Sequence, residues 1–351
     1  MKAGEARSIA RSWLDVERER ASREGGSIDG AFFTGSINAL ADADDFPATS
    51  DLDLCVILSS PDPSPRRIVK RAFRGLVIEP FYLPRENFPS AEEALADFSL
   101  ACHLVEQSVV YDPQGLLRSL QDAMADRYGR REWVLARCAS VRDHSLALMS
   151  RAQDSDSLCF VNAILTHAIQ GMAQMLLLAD LRAPTVKQAL VRAAELLERL
   201  GMPESRDRLL RLLGADRLGE RGAEAMAADC ATALREAVRV YKTPFPADNS
   251  ISEHTLPSVE SEAMQCIAEG RAREICLWIA QLHSLSLYVI GNDSGSPSKR
   301  DFQAVYAADM AALGLGTIEA SRRRLAETRS HFDEVMRECE AIASIREKKE
   351  S

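Results

Sequence analysis

The residues best suited to chemistry lie in one short stretch, residues 32–58 (FFTGSINALADADDFPATSDLDLCVIL). An apolar run leads into Gly35-Ser36, and Asp51 and Asp53 open a second apolar run. If both runs are strands, alternation of side chains places Asp51 and Asp53 on the same face. Hard cations such as Mg²⁺ bind oxygen ligands, usually one or two carboxylates of the protein together with phosphates of the substrate. The spacing therefore predicts a divalent-metal site at the start of the second strand.

Two further features fit the same site. Gly35 has no Cβ, so the Gly35-Ser36 turn allows a close backbone approach, and its amides and hydroxyl can hold a phosphate. Glu79 is an acid inside residues 75–83 (GLVIEPFYL), a run that otherwise predicts a buried strand. A buried charge requires a partner, and a shared metal would provide one.

The elements around these residues predict an α/β segment. It opens with a helix over residues 3–23 that ends at a Gly-Gly pair. Short β-branched or aromatic runs between turn residues predict strands at 28–33, 52–58, 76–83 and 108–111. Intervening amphipathic stretches predict helices at 65–74, 90–106 and 114–128. The basic residues of 65–74, Lys70 among them, could steer a polyphosphate towards the site, but a solvated helix face is the favoured interpretation.

After about residue 129 the sequence changes to long segments rich in Ala, Leu, Arg and Glu. Apolar residues at helical spacing predict helices at 131–153, 157–181, 185–200, 204–213, 220–241, 258–290, 301–313 and 317–346. The fold class is therefore α+β. A mixed sheet with flanking helices, residues 1–129, is followed by an all-helical domain, residues 130–351.

The Gly-Ser turn, the Asp-x-Asp at a strand start and the lone acid on a following strand resemble the DNA polymerase beta-like nucleotidyltransferase superfamily. Within it, the chain resembles the streptomycin-type (aminoglycoside) adenylyltransferase branch. The resemblance covers about residues 32–79. It implies that Asp51 and Asp53 bind two Mg²⁺ ions and that Glu79 is a third carboxylate, either a metal ligand or the catalytic base.

The same resemblance assigns the nucleotide contacts. Gly35 and Ser36 would bind the triphosphate, with Ser50, next to the Asp-x-Asp, as a further nucleotide-binding candidate. Two departures from the family are visible. Leu40 stands where the family usually has a glycine, and the loop of residues 37–49 is longer and more acidic than usual.

In the helical half, Lys187 is the leading candidate. It follows Ala-Pro-Thr-Val at a predicted helix start at residue 185, where free amides favour phosphate. In streptomycin-type enzymes a lysine at a similar place holds the triphosphate, so the resemblance implies that Lys187 reaches ATP across a cleft between the domains. The competing interpretation is an ordinary exposed lysine.

Composition narrows the class of protein. A formal net charge of −9 argues against nucleic acid as the main partner. The eight cysteines contain no Cys-x-x-Cys pair, which predicts reduced packing residues. No uninterrupted apolar run approaches about 18 residues, which argues against membrane insertion. The charged first residues lack a signal segment, so a cytoplasmic location is expected.

These observations predict an enzyme that transfers AMP from ATP, or from another NTP, to a hydroxyl of a small-molecule acceptor. Pyrophosphate is the leaving group. Two alternatives stay open: a nucleotidyltransferase acting on a protein or RNA, as in toxin–antitoxin pairs, and a nucleotide sensor without catalysis. The sequence carries no signal for the acceptor's identity or for the oligomeric state.

Overall fold

The computed structural model describes residues 1–60, 70–104, 108–245, 248–295 and 299–350. The chain divides into two compact units, Met1–Ala136 and Arg137–Ser351. The division falls inside a long helix, α4, which spans Arg131–Ala152, and the boundary predicted after residue 129 lies shortly before that helix. Each unit is described by itself below.

The first unit is built on a five-stranded mixed sheet. Its strands are β1 (Ser27–Phe33), β2 (Leu52–Ser59), β3 (Arg71–Phe73), β4 (Leu76–Pro84) and β5 (Val109–Tyr111). They lie in the order β3-β4-β2-β1-β5. β2 runs parallel to β4, whereas β1 is antiparallel to both β2 and β5 and β3 is antiparallel to β4. The expected mixed sheet with helices beside it is confirmed.

Helices cover both faces of this sheet. They are α1 (Ala3–Arg23), α2 (Ala91–Ala96) and α3 (Leu116–Ala125). One buried cluster joins Trp13 and Leu14 of α1 to Leu54 of β2. A second cluster joins Ile57 of β2 to Leu117 of α3. Because β2 is covered on both faces, its sequence is an almost continuous apolar run, and this makes the polar residues at its start conspicuous.

The predicted helix over residues 65–74 is wrong where the structure can test it. Residues 61–69 lie outside the described residues, but Arg71–Phe73 forms β3, which pairs with β4 through Phe73 and Leu76. The two residues between them, Arg74 and Gly75, have φ of 49° and 80°. Positive φ at both central residues is typical of the two-residue turn that joins twisted antiparallel strands. Tertiary pairing with β4 therefore overrides the helical pattern.

Two other predicted helices are shorter than expected. The segment 90–106 forms α2 only to Ala96 and then a 3₁₀ turn over Ala101–His103, while residues 105–107 lie outside the described residues. The segment 114–128 forms a helix only over Leu116–Ala125. The Asp97 side chain accepts hydrogen bonds from the amides of Ser99 and Leu100, at 2.7 and 2.9 Å, so the chain turns there rather than continuing as a helix.

The acidic loop of residues 37–49 is attached to the start of α1. Arg7, a buried residue, donates to Asp42 Oδ1 at 2.5 Å and to the carbonyl of Ile37 at 2.8 Å. Lys2 Nζ lies 2.7 Å from Asp45 Oδ1. The charges of this loop therefore bind it to α1, which gives the length and acidity of the loop a structural role.

The second unit is helical, as expected. After α4, its helices are α5 (Leu158–Ala179), α6 (Ala189–Leu200), α7 (Pro203–Leu213), α8 (Glu220–Val240), α9 (Met264–Ala268), α10 (Ala272–Asp293), α11 (Lys299–Ala312), α12 (Ile318–Ser330) and α13 (Phe332–Glu350). Two predicted segments are divided. Residues 258–290 form a π-helical turn, α9 and α10, broken at Gly270, which has φ of 79°. Residues 317–346 form α12 and α13.

Two helices of this unit, α5 and α10, are long and apolar enough to cross a membrane by length and composition. Their most apolar 18-residue windows are 89% and 78% buried within the protein. Core helices of water-soluble proteins show the same combination, so these helices are weak evidence for a membrane span.

Candidate metal-binding site

The two parallel strands β2 and β4 bring three carboxylates together. Asp53 pairs with Glu79 in the register of these strands, and Asp51 precedes β2 by one residue. One carboxylate oxygen from each of Asp51, Asp53 and Glu79 lies within 4.8 Å of the others. All three side chains are half-buried. The predicted clustering of these acids is confirmed.

Gly35 lies directly against this cluster. The amide of Thr34 donates to the carbonyl of Asp53 at 3.0 Å, which fixes the end of β1 beside the start of β2. Gly35 has φ of 70°, and a Cβ at this position would lie 2.1 Å from Asp53 Oδ2. Only glycine therefore allows the backbone to approach the Asp53 carboxylate so closely.

A fourth charged residue, Lys70, completes the cluster. Its ammonium forms ion pairs with Asp51 Oδ2 and, at 3.2 Å, with Glu79 Oε2. The Lys70 side chain is 6% exposed, and those of Asp51 and Glu79 are 14% and 13% exposed. Burial alone would lower the pKa of Lys70, but the Glu79 and Asp51 charges outweigh burial and raise that pKa above its ordinary value. The cluster thus contains a charged, buried ammonium.

The β3–β4 hairpin explains the position of Lys70. Arg71 pairs with Ile78 across the hairpin, so Lys70, one residue earlier, lies opposite Glu79. On the other side of β4, Glu79 pairs with Asp53. Glu79 therefore lies between Asp53 on β2 and the Lys70 ammonium at the start of β3.

Among the nucleotide-binding candidates of the first unit, the structure brings Gly35 to the acidic cluster. Ser36 is exposed and follows Gly35 in a 3₁₀ turn, Gly35–Ala39. Ser50 is half-buried immediately before Asp51, and its amide donates to the carbonyl of Pro47 at 3.0 Å. Both serines are thus close to the cluster along the chain.

Lys187 belongs to the second unit and does not open a helix. The helix expected from residue 185 begins at Ala189, and Lys187 lies in the turn before it, because Gln188 rather than Thr185 occupies the N-cap. The Lys187 ammonium donates to Ser258 Oγ at 3.1 Å. Both partners of this contact belong to the helical unit. The expected reach of Lys187 to a nucleotide stays a prediction.

The acidic cluster fits a divalent cation by its donor chemistry. Three carboxylates from adjacent strands provide hard oxygen donors, which suit Mg²⁺ or Mn²⁺. Two of these carboxylates already bind the cationic Lys70 side chain. In the described parts of the chain, no other set of three His, Cys, Asp or Glu side chains converges in this way.

Sequence reasoning missed the role of Lys70 because it placed this residue on a solvated helix. The signal that could have located it is Gly75 directly before the apolar run 76–83, because glycine is favoured in the second central position of a two-residue hairpin turn. A hairpin there predicts Lys70 opposite Glu79. It also gives the acid in β4 a partner other than a metal.

Comparison of the chain with protein-family models and with curated proteins finds no match in either set.

Proposed function

We propose that this protein is a metal-dependent nucleotidyltransferase that transfers AMP from ATP, or the corresponding group from another NTP, to a hydroxyl of a small molecule. The observation that carries the proposal is the convergence of Asp51, Asp53 and Glu79 on two neighbouring parallel strands. The fit of Gly35 against Asp53 supports it, because the fit keeps the backbone close to the carboxylates. The resemblance to nucleotidyltransferases rests on these same residues.

The proposed reaction is an in-line displacement at phosphorus. The acceptor's hydroxyl oxygen attacks the α-phosphorus of the NTP, a new P–O bond forms, and the bond to the β-phosphate oxygen breaks to release pyrophosphate. Bound Mg²⁺ would stabilise the attacking and leaving oxygens. The hydroxyl proton passes to the Glu79 carboxylate, which acts as the general base.

The remaining assignments follow from position. Asp51 and Asp53 hold the metal, and Gly35, Ser36 and Ser50 border the triphosphate. The acceptor is a small molecule, and the net charge of −9 on the whole chain argues against nucleic acid as the main partner. The free cysteines of the chain support a reducing compartment such as the cytoplasm.

A second candidate function is a nucleotide sensor that binds NTP without transferring it. The ion pairs of Lys70 with Asp51 and Glu79 favour this candidate, because they give two of the acids a structural reason to be present. A transferase acting on a protein or RNA uses the same acids. The experiment below separates these candidates.

The test uses the full chain with Mg²⁺ and ATP labelled at the α-phosphate, in the presence of pooled hydroxyl-bearing small molecules. Pyrophosphate release and transfer of label are measured. We expect release by the wild type and a loss of at least about 100-fold in Asp53→Asn, since that substitution removes a ligand charge needed most in the transition state. Asp45→Asn is the matched control, because Asp45 is an exposed acid of the same unit, paired with Lys2.

Each result has a distinct meaning. Label on a small molecule supports the proposed acceptor class, whereas label on added protein or RNA identifies a macromolecular target. Binding of labelled ATP without pyrophosphate release identifies the sensor. Equal turnover of Asp53→Asn and the wild type contradicts the assignment of the site.

A further inference from the structure

The Lys70 ammonium stands where the acidic cluster would hold a cation. It contacts one oxygen of Asp51, which precedes β2, and one oxygen of Glu79 on the neighbouring strand β4. Its side chain is almost entirely buried, unlike a lysine of a solvated surface. Lysines this buried are rare unless they are paired, and here the partners are two of the three acids of the proposed site.

Space at the cluster is limited. The three carboxylates have ligand oxygens within 4.8 Å of one another, and the ammonium contacts two of these carboxylates, Asp51 and Glu79. Two catalytic metal ions need to be about 3.5 to 4 Å apart and to share bridging carboxylates. A second dication bridging Asp51 and Glu79 would therefore compete directly with the ammonium.

The burial of the ammonium points in the same direction. Expelling the ammonium would separate a buried lysine from the Asp51 and Glu79 carboxylates that it contacts, a change that is strongly unfavourable. The hairpin register holds Lys70 opposite Glu79, so the ammonium is tethered at high effective concentration.

We propose that Lys70 takes the place of one of the two divalent cations, so that the site operates with a single metal ion and a fixed ammonium. This inference rests on the proposed function and revises the number of metal ions expected from the family. The divalent cation binds on the Asp51 and Asp53 side of the cluster. Lys70 is a positioning residue that fixes Asp51 and Glu79 and offsets part of the negative charge.

The test is the number of Mn²⁺ ions bound by the full chain, counted by electron paramagnetic resonance with and without a non-hydrolysable ATP analogue. Two Mn²⁺ ions at the spacing of a two-metal site are magnetically coupled, and a single ion is not. We expect one uncoupled Mn²⁺ per wild-type chain with the analogue bound. In Lys70→Met, which keeps the stem and removes the charge, we expect a second, coupled Mn²⁺ or at least about tenfold tighter binding of the first.

Lys2→Met is the matched control, since it removes a lysine from an ion pair of the same unit that lies outside the cluster. It should bind Mn²⁺ as the wild type does. Lys70→Arg keeps a positive charge and should retain the single ion. If Lys70→Met fails to fold by circular dichroism, Lys70→Gln replaces it in the same comparison.

The outcomes separate this inference from the proposed function. Two coupled Mn²⁺ ions in the wild type, or identical binding by Lys70→Met, overturn the role of Lys70 and leave the nucleotidyltransferase proposal intact. Failure of the wild type to bind Mn²⁺, alone or with the analogue, contradicts both proposals.

Discussion

Gly35 is constrained by its backbone conformation and by its neighbour. Its φ of 70° is unfavourable for residues with a side chain, and its missing Cβ makes room for the Asp53 carboxylate. Gly75, in the β3–β4 turn, has φ of 80° but no heavy atom within 4 Å of the Cβ position. Substitutions at these two glycines therefore distinguish the cost of the left-handed backbone, which both share, from the cost of crowding Asp53, which applies only to Gly35.

We predict that Gly35→Ala is more harmful than Gly75→Ala. Both substitutions incur the cost of a left-handed backbone, about 1 to 2 kcal/mol of unfolding free energy. Gly35→Ala should in addition displace Asp53 and weaken Mn²⁺ binding by at least about tenfold. Urea denaturation and Mn²⁺ titration measure the two effects. Equal Mn²⁺ affinities in the two variants would contradict the role of Gly35 in holding Asp53 at the metal site.

The three acids were predictable at the residue scale because each lies inside, or directly before, an otherwise apolar strand. Alternation along β2 and the parallel pairing with β4 then bring their side chains together. Lys70 was not predictable in the same way, because a single basic residue in a basic segment carries no periodic signal. Its position depends on a hairpin whose pairing is not local.

The helix α1 is linked to the sheet by a buried carboxylate. Glu17, which is 3% exposed, accepts a hydrogen bond from Tyr82 Oη of β4 at 2.6 Å and one from Arg20 Nε at 3.0 Å. Burial acts to raise the pKa of Glu17, but the hydrogen bonds from Arg20 and Tyr82 outweigh burial and lower that pKa below its ordinary value. The ionised form therefore stabilises the folded first unit.

We predict a pH-dependent contribution of Glu17 to stability. Because its folded pKa is lowered, the contribution is present above the unfolded pKa of about 4.3 and is lost as pH falls through the folded pKa. Glu17→Gln should lower the unfolding free energy at pH 7 by about 1 to 3 kcal/mol. The gap between variant and wild type should narrow as pH falls below about 4.3.

Chemical denaturation at pH 7 and at lower pH measures both effects. Glu19→Gln is the control, because Glu19 lies on the exposed side of the same helix. A constant difference between Glu17→Gln and the wild type at all pH values would contradict the role of the ionised carboxylate.

The long helices of this protein were predictable from the sequence, whereas two short segments were not. The long helices α4 and α5 match their predicted segments because their apolar residues recur over many turns. The segments 65–74 and 90–106 are short, and side-chain hydrogen bonds or strand pairing outweigh their helical pattern. Short elements thus depend on contacts that a local pattern does not contain.

At the scale of the molecule, each unit has a core of its own. The first has clusters on both faces of its sheet. In the second, the buried Asn162 of α5 donates to Tyr306 Oη of α11 at 3.0 Å and to the carbonyl of Leu315 at 3.2 Å. A unit with its own core can unfold in a separate transition.

We predict that Mn²⁺ stabilises only the first unit. In Trp278→Phe the remaining tryptophans, Trp13 and Trp133, both belong to that unit, so fluorescence follows its unfolding. Mn²⁺ at 100 times its dissociation constant should raise the free energy of unfolding measured by fluorescence by about 2.7 kcal/mol. The far-ultraviolet circular dichroism signal comes mainly from the helices of the second unit and should show a transition that Mn²⁺ does not shift.

Two further substitutions in the Trp278→Phe background assign each transition to its unit. Asp53→Asn should abolish the shift produced by Mn²⁺, because it removes a ligand without changing the shape of the side chain. Asn162→Ala removes two buried hydrogen bonds and should lower the free energy of unfolding measured by circular dichroism by about 1 to 3 kcal/mol. The free energy measured by fluorescence should stay unchanged. The contrary result is that Mn²⁺ and Asn162→Ala each shift the fluorescence and circular dichroism transitions together. The two cores would then unfold as one cooperative system, and metal binding in the first unit would stabilise the helices of the second.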